Sequence, residues 1–168
     1  MSEVKLENIL KFHNLDPNRS YLVLIAVDKT PPHLALISEQ MYYSVSSRGV
    51  KQGIDANMIL ASLIRKKVPV LLLELNILFS NEALQKEFSK FSNLKHGQSC
   101  LLPIIEIFCN IDAEYGKAKF VFELIPKLMK NKMIRKIHCL GMESDSFTLK
   151  KYGQREIDMA IKNAAQLC

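Results

Sequence analysis

Apolar residues recur along the chain in short blocks, and their spacing alternates between the period of a strand and the period of a helix. Blocks of four to eight residues that are rich in β-branched or aromatic side chains predict strands. These blocks lie at residues 20–27, 33–38, 41–47, 68–75, 133–141 and 146–150. The second and third blocks are separated only by Glu39 and Gln40, so they predict a hairpin with a tight turn.

Apolar residues at helical spacing predict helices over residues 4–13, 55–66, 82–92, 99–109, 114–131 and 154–166. Asp55, Asn81 and Ser99 stand where N-caps are expected, and the fourth helix then begins at Ser99 or Cys100. Three segments are predicted to be loops. They are 28–32, which ends in two prolines, 48–54, which contains two glycines, and 93–98. An interruption of the 114–131 helix at Gly116 or Pro126 is left open.

The order of these elements predicts the fold class. Consecutive strands that can pair antiparallel, followed by grouped helices, are typical of an α+β fold in which an antiparallel sheet packs against helices. The chain has 168 residues and no long linker rich in Pro, Gly or Ser, so residues 1–168 are expected to form a single domain.

Composition narrows the function classes. The net charge is +6, but the lysines are spread along the chain and no aromatic residues alternate with basic ones, so a nucleic-acid partner is not expected. The four cysteines are irregularly spaced without a CxxC pair, which favours reduced thiols and, with no signal peptide, a cytoplasmic protein. No apolar run is long enough to be a transmembrane segment.

Several motifs are absent: GxGxxG, GxxxxGK[ST], HExxH and GxSxG do not occur. Dinucleotide-binding proteins, P-loop NTPases, zincins and α/β-hydrolases are therefore not expected. Neither a cofactor nor a metal site is predicted. His96 and Cys100, taken with His138 and Cys139, do not have the spacing of a structural zinc site.

The residues that suggest chemistry are Cys100 and His33. Cys100 lies at the predicted start of a helix, where unpaired N–H groups and the helix dipole favour thiolate over thiol. The same N–H groups can receive an oxyanion. His33 opens a predicted strand after two prolines, and a histidine near a cysteine can accept and return its proton. His96, four residues before Cys100, is a rival base.

The hairpin HLALISEQMYYSVSSRGV (33–50) and the segment GQSCLLPIIEIF (97–108) resemble elements of circularly permuted papain-like proteins, the relatives of NlpC-type peptidases and lecithin:retinol acyltransferases. In that superfamily the histidine strand comes first and the cysteine follows at a helix start. The resemblance implies a permuted papain-like fold. It also implies a cysteine-dependent hydrolase or acyltransferase that acts on an amide, ester or thioester. The substrate would be a small molecule, a lipid or a peptide.

The resemblance also implies roles for individual residues. Cys100 would be the nucleophile, with its backbone N–H in the oxyanion hole, and His33 would be the base. Ser44 or Ser46 would orient the imidazole, a position where many relatives have a stronger acceptor. Three further residues are candidates for binding substrate: Tyr43, Arg48 and Gln98.

A second function remains open from the residues alone. Cysteine is often buried as a small hydrophobe, and His33 can be an ordinary residue at a strand edge. Serine at the orienting position and the spread positive charge then favour a non-catalytic α+β binding module. A nucleic-acid-binding domain is the third and weakest possibility, and it predicts affinity that falls steeply with salt.

Overall fold

The structure is a computed structural model that describes the backbone of residues 3–166 and the side chains of residues 3–164. Within this range there are nine strands: β1 (Val4–Glu7), β2 (Ile9–Lys11), β3 (Ser20–Ile25), β4 (His33–Ser38), β5 (Met41–Ser46), β6 (Gly49–Asp55), β7 (Val70–Leu75), β8 (Ile134–Leu140) and β9 (Ser146–Leu149). The α-helices of the same range are α1 (Ala56–Arg65), α2 (Asn81–Phe88), α3 (Leu102–Cys109), α4 (Val121–Lys130) and α5 (Gln154–Gln166). A short 3-10 helix covers Ala113–Lys117.

Seven strands form one sheet in the order β2-β8-β7-β3-β4-β5-β6, and β1 pairs with β9 in a small separate sheet. All neighbouring strands pair antiparallel except β2 and β8, which are parallel. The α+β class, with a mostly antiparallel sheet packed against helices, is confirmed. The permuted papain-like arrangement stays a prediction.

Both faces of the large sheet are covered, which explains why every residue of β3 and β7 is buried. On one face, side chains of the central strands pack with α2, α3 and α4; this core includes Leu22, Leu36, Tyr43, Leu73, Phe88 and Phe108. On the other face they pack with α1; this core includes Tyr21, Val23, Ile37, Tyr42, Leu60 and Leu72. Alternate residues of a strand therefore belong to different cores.

The predicted β4–β5 hairpin is confirmed, and its turn fixes which side chains share a face. Glu39 and Gln40 both have positive φ, 49° and 62°, as a two-residue type I′ turn requires. The pairing that results sets Ile37 opposite Tyr42. Even-numbered residues of β5 therefore lie on the same face as odd-numbered residues of β4, the face that carries α1.

The predicted helix over 4–13 is wrong. This segment forms β1 and β2, separated by Asn8 with a φ of 56°. In β1 the buried Leu6 lies between the exposed Lys5 and Glu7, so the period of two that defines a strand outweighs the weaker helical spacing.

The predicted loop over 48–54 is also wrong, because Gly49–Asp55 forms the edge strand β6. Most of its side chains are exposed or half-buried, so the hydrophobic pattern gave no signal for a strand. Gly53 has a φ of 65° close to a register shift in the β5–β6 ladder, where a glycine relieves the local backbone strain.

Helix boundaries agree in part with the sequence. Asp55 caps α1 through a 2.9 Å hydrogen bond from the Asn57 N–H, as predicted. The cap of α2 is Ser80 rather than Asn81, and the helix ends at Phe88 rather than near residue 92. The 114–131 segment is split into the 3-10 helix and α4, and α4 continues through Pro126. The 154–166 helix is confirmed as α5.

Within residues 3–166, none of the helices combines the length and the apolar character needed to cross a bilayer.

Candidate active site

A cavity of about 480 Å³ opens on the α1 face of the sheet and contains the predicted catalytic residues. Strands β4 and β5 form its floor, and α1 and α5 contribute its walls. The floor residues are His33, Tyr42, Ser44 and Ser46, and Cys100 also lines the cavity. The wall residues include Ile59, Ser62, Leu63 and Lys66 of α1, and Ile157, Ala160, Ile161 and Ala164 of α5.

Cys100 reaches this cavity because the sheet opens between β4 and β5. The β4–β5 ladder ends at the pair Leu36 and Tyr43, so the earlier residues of β4 have no partner on β5. The Leu34 N–H instead donates a 3.4 Å hydrogen bond to the Cys100 Sγ. The Leu94 N–H bonds the Ser46 carbonyl of β5 at 2.9 Å. The segment 94–100 therefore fills the opening and carries the thiol to the residue that follows His33.

The thiol is held in its protonated form. Burial raises the pKa of Cys100 to about 11, and the N–H groups of Leu34 and of Cys100 itself only partly oppose this effect. The prediction that Cys100 starts a helix is wrong by two residues. It lies in a turn before α3, whose cap is Leu101, while the Ser99 Oγ accepts the Leu101 N–H at 3.3 Å. The expected lowering of its pKa by the helix terminus is therefore outweighed by desolvation.

His33 is the first residue of β4 and is half-buried at the cavity floor. Burial lowers its pKa to about 4, and the positive charge of Lys51 acts in the same direction. Among the residues that the structure describes, neither the Cys100 sulfur nor any other group is hydrogen-bonded to the His33 ring. At pH 7 the pair therefore consists of a neutral thiol and a neutral imidazole.

Ser44 and Ser46 both line the cavity on the same face as His33, as the sequence predicted for their side chains. Ser44 is buried. The Ser46 Oγ accepts the Arg48 N–H at 3.2 Å and donates to the Gly49 carbonyl at 3.5 Å, so it closes the β5–β6 turn. Neither hydroxyl is bonded to His33 within the described residues, and the imidazole is not oriented by a third group in this structure.

Of the two neighbouring tyrosines of β5, Tyr42 and not the predicted Tyr43 lines the cavity. Tyr43, predicted to bind substrate, is fully buried in the opposite core, where its hydroxyl donates to the Asn81 Oδ1 at 2.8 Å. Tyr42 lines the cavity instead. Burial raises the pKa of Tyr42 to about 12, and the neighbouring Ser44 hydroxyl opposes this, so the phenol stays protonated and can donate a hydrogen bond. The tight turn predicted at Glu39 and Gln40 implies that Ile37 pairs with Tyr42. This pairing places Tyr42, and not Tyr43, on the face of His33.

The other predicted binding residues are divided. Arg48 lines the cavity. Gln98 does not line it, because its Oε1 accepts the Lys95 N–H at 2.9 Å within the 93–98 loop. The rival base His96 is 88% exposed in that loop and lies 3.6 Å from an Asp158 carboxylate oxygen, outside the cavity lining.

The sequence did not identify two further lysines that line the cavity. Lys51 comes from β6, which was read as a loop, and Lys66 comes from the end of α1. The apolar face of α5 was visible in the sequence, but its position above this cavity depends on long-range packing.

The described residues contain no group of three or more His, Cys, Asp or Glu side chains placed to hold a metal ion. No protein-family model, curated protein or solved structure matches this chain, so the site is interpreted from its own geometry.

Proposed function

We propose that this protein is a cysteine-dependent hydrolase or acyltransferase that acts on an amide, ester or thioester. The observation that carries the proposal is that Cys100 and His33, 67 positions apart in sequence, line one cavity, with the Cys100 sulfur hydrogen-bonded to the backbone of the residue next to His33. A nucleophile and a base that meet beside a cavity of small-molecule size are the minimum requirement for acyl transfer.

The proposed reaction has two halves. The Cys100 sulfur attacks the carbonyl carbon of the substrate while its proton moves to His33, and the carbonyl oxygen becomes an oxyanion. When the oxyanion collapses, His33 gives this proton to the leaving oxygen, nitrogen or sulfur, and a thioester of Cys100 remains. Water or a second substrate then attacks the thioester carbon and gives a proton to His33. When this second oxyanion collapses, the acyl product is released and His33 returns the proton to the Cys100 sulfur.

The protonation states decide how the first half proceeds. Since the pKa of Cys100 is raised to about 11 and that of His33 is lowered to about 4, the resting pair is uncharged. Proton transfer must therefore accompany the attack on the carbonyl carbon, as in general-base catalysis. The mechanism requires the thiol and the imidazole to come within hydrogen-bond distance of each other when the substrate is bound.

Two donors are available for the oxyanion. The Cys100 N–H lies beside its own sulfur, the usual place for such a donor. Tyr42 lines the same cavity, and its hydroxyl remains protonated across the physiological range because its pKa is raised to about 12. The mechanism thus assigns nucleophile, base and two donors to residues of one cavity.

A panel of para-nitrophenyl esters and thioesters of increasing chain length tests the proposal. We expect turnover by the parent protein, no turnover by Cys100→Ala, and a loss of about 100-fold or more in kcat for His33→Asn. Cys109→Ala is the matched control, because Cys109 is also a half-buried free thiol but lies outside the cavity lining. Turnover that survives Cys100→Ala contradicts the proposal.

One observation favours the non-catalytic alternative. The His33 ring has neither an orienting partner nor a hydrogen bond to Cys100 among the described residues. A binding module that uses the same cavity would bind its ligand equally well with Cys100→Ala and His33→Asn and would show no turnover of any substrate in the panel.

A further inference from the structure

We propose that the cavity selects a small amphiphile whose anionic group, a carboxylate or a phosphate, is bound by the cavity-lining cations Arg48, Lys51 and Lys66. This inference deepens the proposed function, because it takes the same cavity as the substrate site and names the class of substrate. Its evidence is the distribution of charge, unsatisfied polar atoms and apolar side chains around the cavity.

The charge of the cavity lining is entirely positive. Arg48, Lys51 and Lys66 line it, and no Asp or Glu does. None of these three cations forms an ion pair within the described part of the chain, although other lysines and arginines of that part are paired with carboxylates. All three side chains are exposed; Arg48 lies in the β5–β6 turn and Lys51 follows it in β6, so their positive charge would attract an anionic group bound in the cavity.

A buried hydroxyl in the cavity lining lacks a partner. The Ser47 Oγ is inaccessible to solvent and makes no hydrogen bond, although Ser47 lines the cavity next to Arg48. Buried hydroxyls are satisfied in most proteins because an unmade hydrogen bond costs about 1–3 kcal/mol. Rotation of the Ser47 side chain towards the cavity would let a ligand oxygen accept its hydrogen bond. Ser47 directly precedes Arg48, so this unpaired hydroxyl belongs to the same turn of the chain as one of the three cations.

The remainder of the lining is mostly apolar. Ile59 and Leu63 of α1, Ile157 and Ile161 of α5, and Leu94 all line the cavity. This surface suits a hydrocarbon or aromatic body, and the volume of 480 Å³ lies in the usual range of about 300–1,000 Å³ for small-molecule sites. Lys51 lines the same cavity as His33 and Cys100, and its charge lowers the pKa of His33, so one ligand in this cavity can contact both the cation and the reactive pair.

Binding is tested directly with the Cys100→Ala protein, which cannot turn the ligand over. The probes are decanoate and decyl phosphate below their micelle concentrations, with decanol as the neutral control and decyltrimethylammonium as the cationic control. Calorimetry is expected to show binding of both anions and at least tenfold weaker binding of both controls. Equal affinity for decanol and decanoate overturns the proposal.

Substitutions identify the cations. We expect Lys51→Gln and Arg48→Gln each to weaken decanoate binding about tenfold and the double variant about 100-fold, since each removes one charged contact. Lys86→Gln on α2 is the control, because Lys86 is an exposed lysine outside the cavity lining. A loss for Lys86→Gln equal to that for Lys51→Gln overturns the proposal.

The anion has two possible sources, which the same proteins distinguish. Sedimentation with phosphatidylglycerol vesicles that is lost in the double variant indicates a membrane lipid, whereas solution binding without sedimentation indicates a free small molecule. Both results support the proposed chemistry. If the protein turns over esters but binds charged and neutral probes equally well, this inference is overturned and the proposed function stands. If it binds anions selectively but turns over no substrate, the proposed function is overturned and this inference stands.

Discussion

At Cys100 two physical effects compete for the proton of the thiol. Backbone N–H groups stabilise the thiolate, and removal from water destabilises it; in this protein desolvation is the larger effect. The sequence could identify Cys100 as a candidate because it precedes an apolar helix. It could not predict the sign of the pKa shift, which depends on how deeply the 94–100 segment is inserted between β4 and β5.

The first prediction concerns the reactivity of this thiol. With a pKa of about 11, only about one Cys100 in ten thousand is ionised at pH 7. The rate of alkylation by iodoacetamide, followed by mass spectrometry of the Cys100 peptide, should rise about tenfold for each pH unit between 7 and 10. Cys100 in the urea-unfolded protein is the control and should level off above its ordinary pKa of about 8.5. A plateau below pH 8 in the folded protein contradicts the account.

The second prediction follows from His33, whose pKa is about 4 when folded and about 6.5 when unfolded. Between these values the unfolded chain binds more protons, so the stabilisation from a neutral His33 is complete above pH 6.5 and is lost as the pH falls towards 4. His33→Asn should recover on the order of 2 kcal/mol of this loss between pH 7.5 and pH 4.5, measured by urea unfolding. Equal pH dependence with and without His33 contradicts the shift.

At the scale of elements, sequence and structure agree best at the β4–β5 hairpin. The predicted turn would also have been enough to predict which tyrosine of β5 shares a face with His33. The turn at Glu39 and Gln40 pairs Ile37 with Tyr42, and this register alone puts Tyr42 on the face of His33. By contrast, the side chains of β6 are mostly exposed or half-buried, so no hydrophobic pattern predicts this strand. Lys51, which β6 carries, was therefore not identified as a residue of the site. The site is thus predictable where strands are buried and paired locally.

The third prediction separates the two tyrosines of β5. Tyr42→Phe removes a hydroxyl that faces the cavity and should lower kcat by about 10-fold or more, with little effect on stability. Tyr43→Phe removes the hydrogen bond to Asn81 on the opposite face and should lower the free energy of unfolding by about 1 kcal/mol without changing kcat. Enzyme kinetics and urea unfolding of both variants check this. The reverse assignment would contradict the register argument.

At the scale of the whole molecule, the large sheet separates two cores, and long-range contacts decide what covers each face. Sequence patterns gave the α+β class because they report local periodicity. They did not reveal that β2 joins β8 in parallel, or that α5 closes the cavity, since these arrangements pair residues more than 50 positions apart. The buried network of Ser20 and Ser38 was not recognised either, because it is completed by the backbone of Phe79, which lies 59 positions from Ser20 and 41 from Ser38.

The fourth prediction concerns this network, which ties β3 and β4 to the segment before α2. The hydroxyls of Ser20 and Ser38 are 2.8 Å apart, Ser38 donates to the Phe79 carbonyl, and the Phe79 N–H donates to the Ser20 Oγ at 2.9 Å. Ser38→Ala leaves the buried Phe79 carbonyl without this donor and should cost about 1–3 kcal/mol of unfolding free energy. The exposed Ser89, replaced by Ala, should cost less than about 0.5 kcal/mol. Equal losses in urea unfolding would show that the network does not stabilise the fold.

Time-resolved intact mass spectrometry of the protein mixed with para-nitrophenyl decanoate tests the central proposal most directly. The account predicts a single acyl adduct that maps to Cys100, forms at least about 100-fold more slowly in His33→Asn, and is absent from Cys100→Ala. An adduct that forms on Cys109 or Cys139 as fast as on Cys100, or one on Cys100 that forms at the same rate without His33, would contradict it.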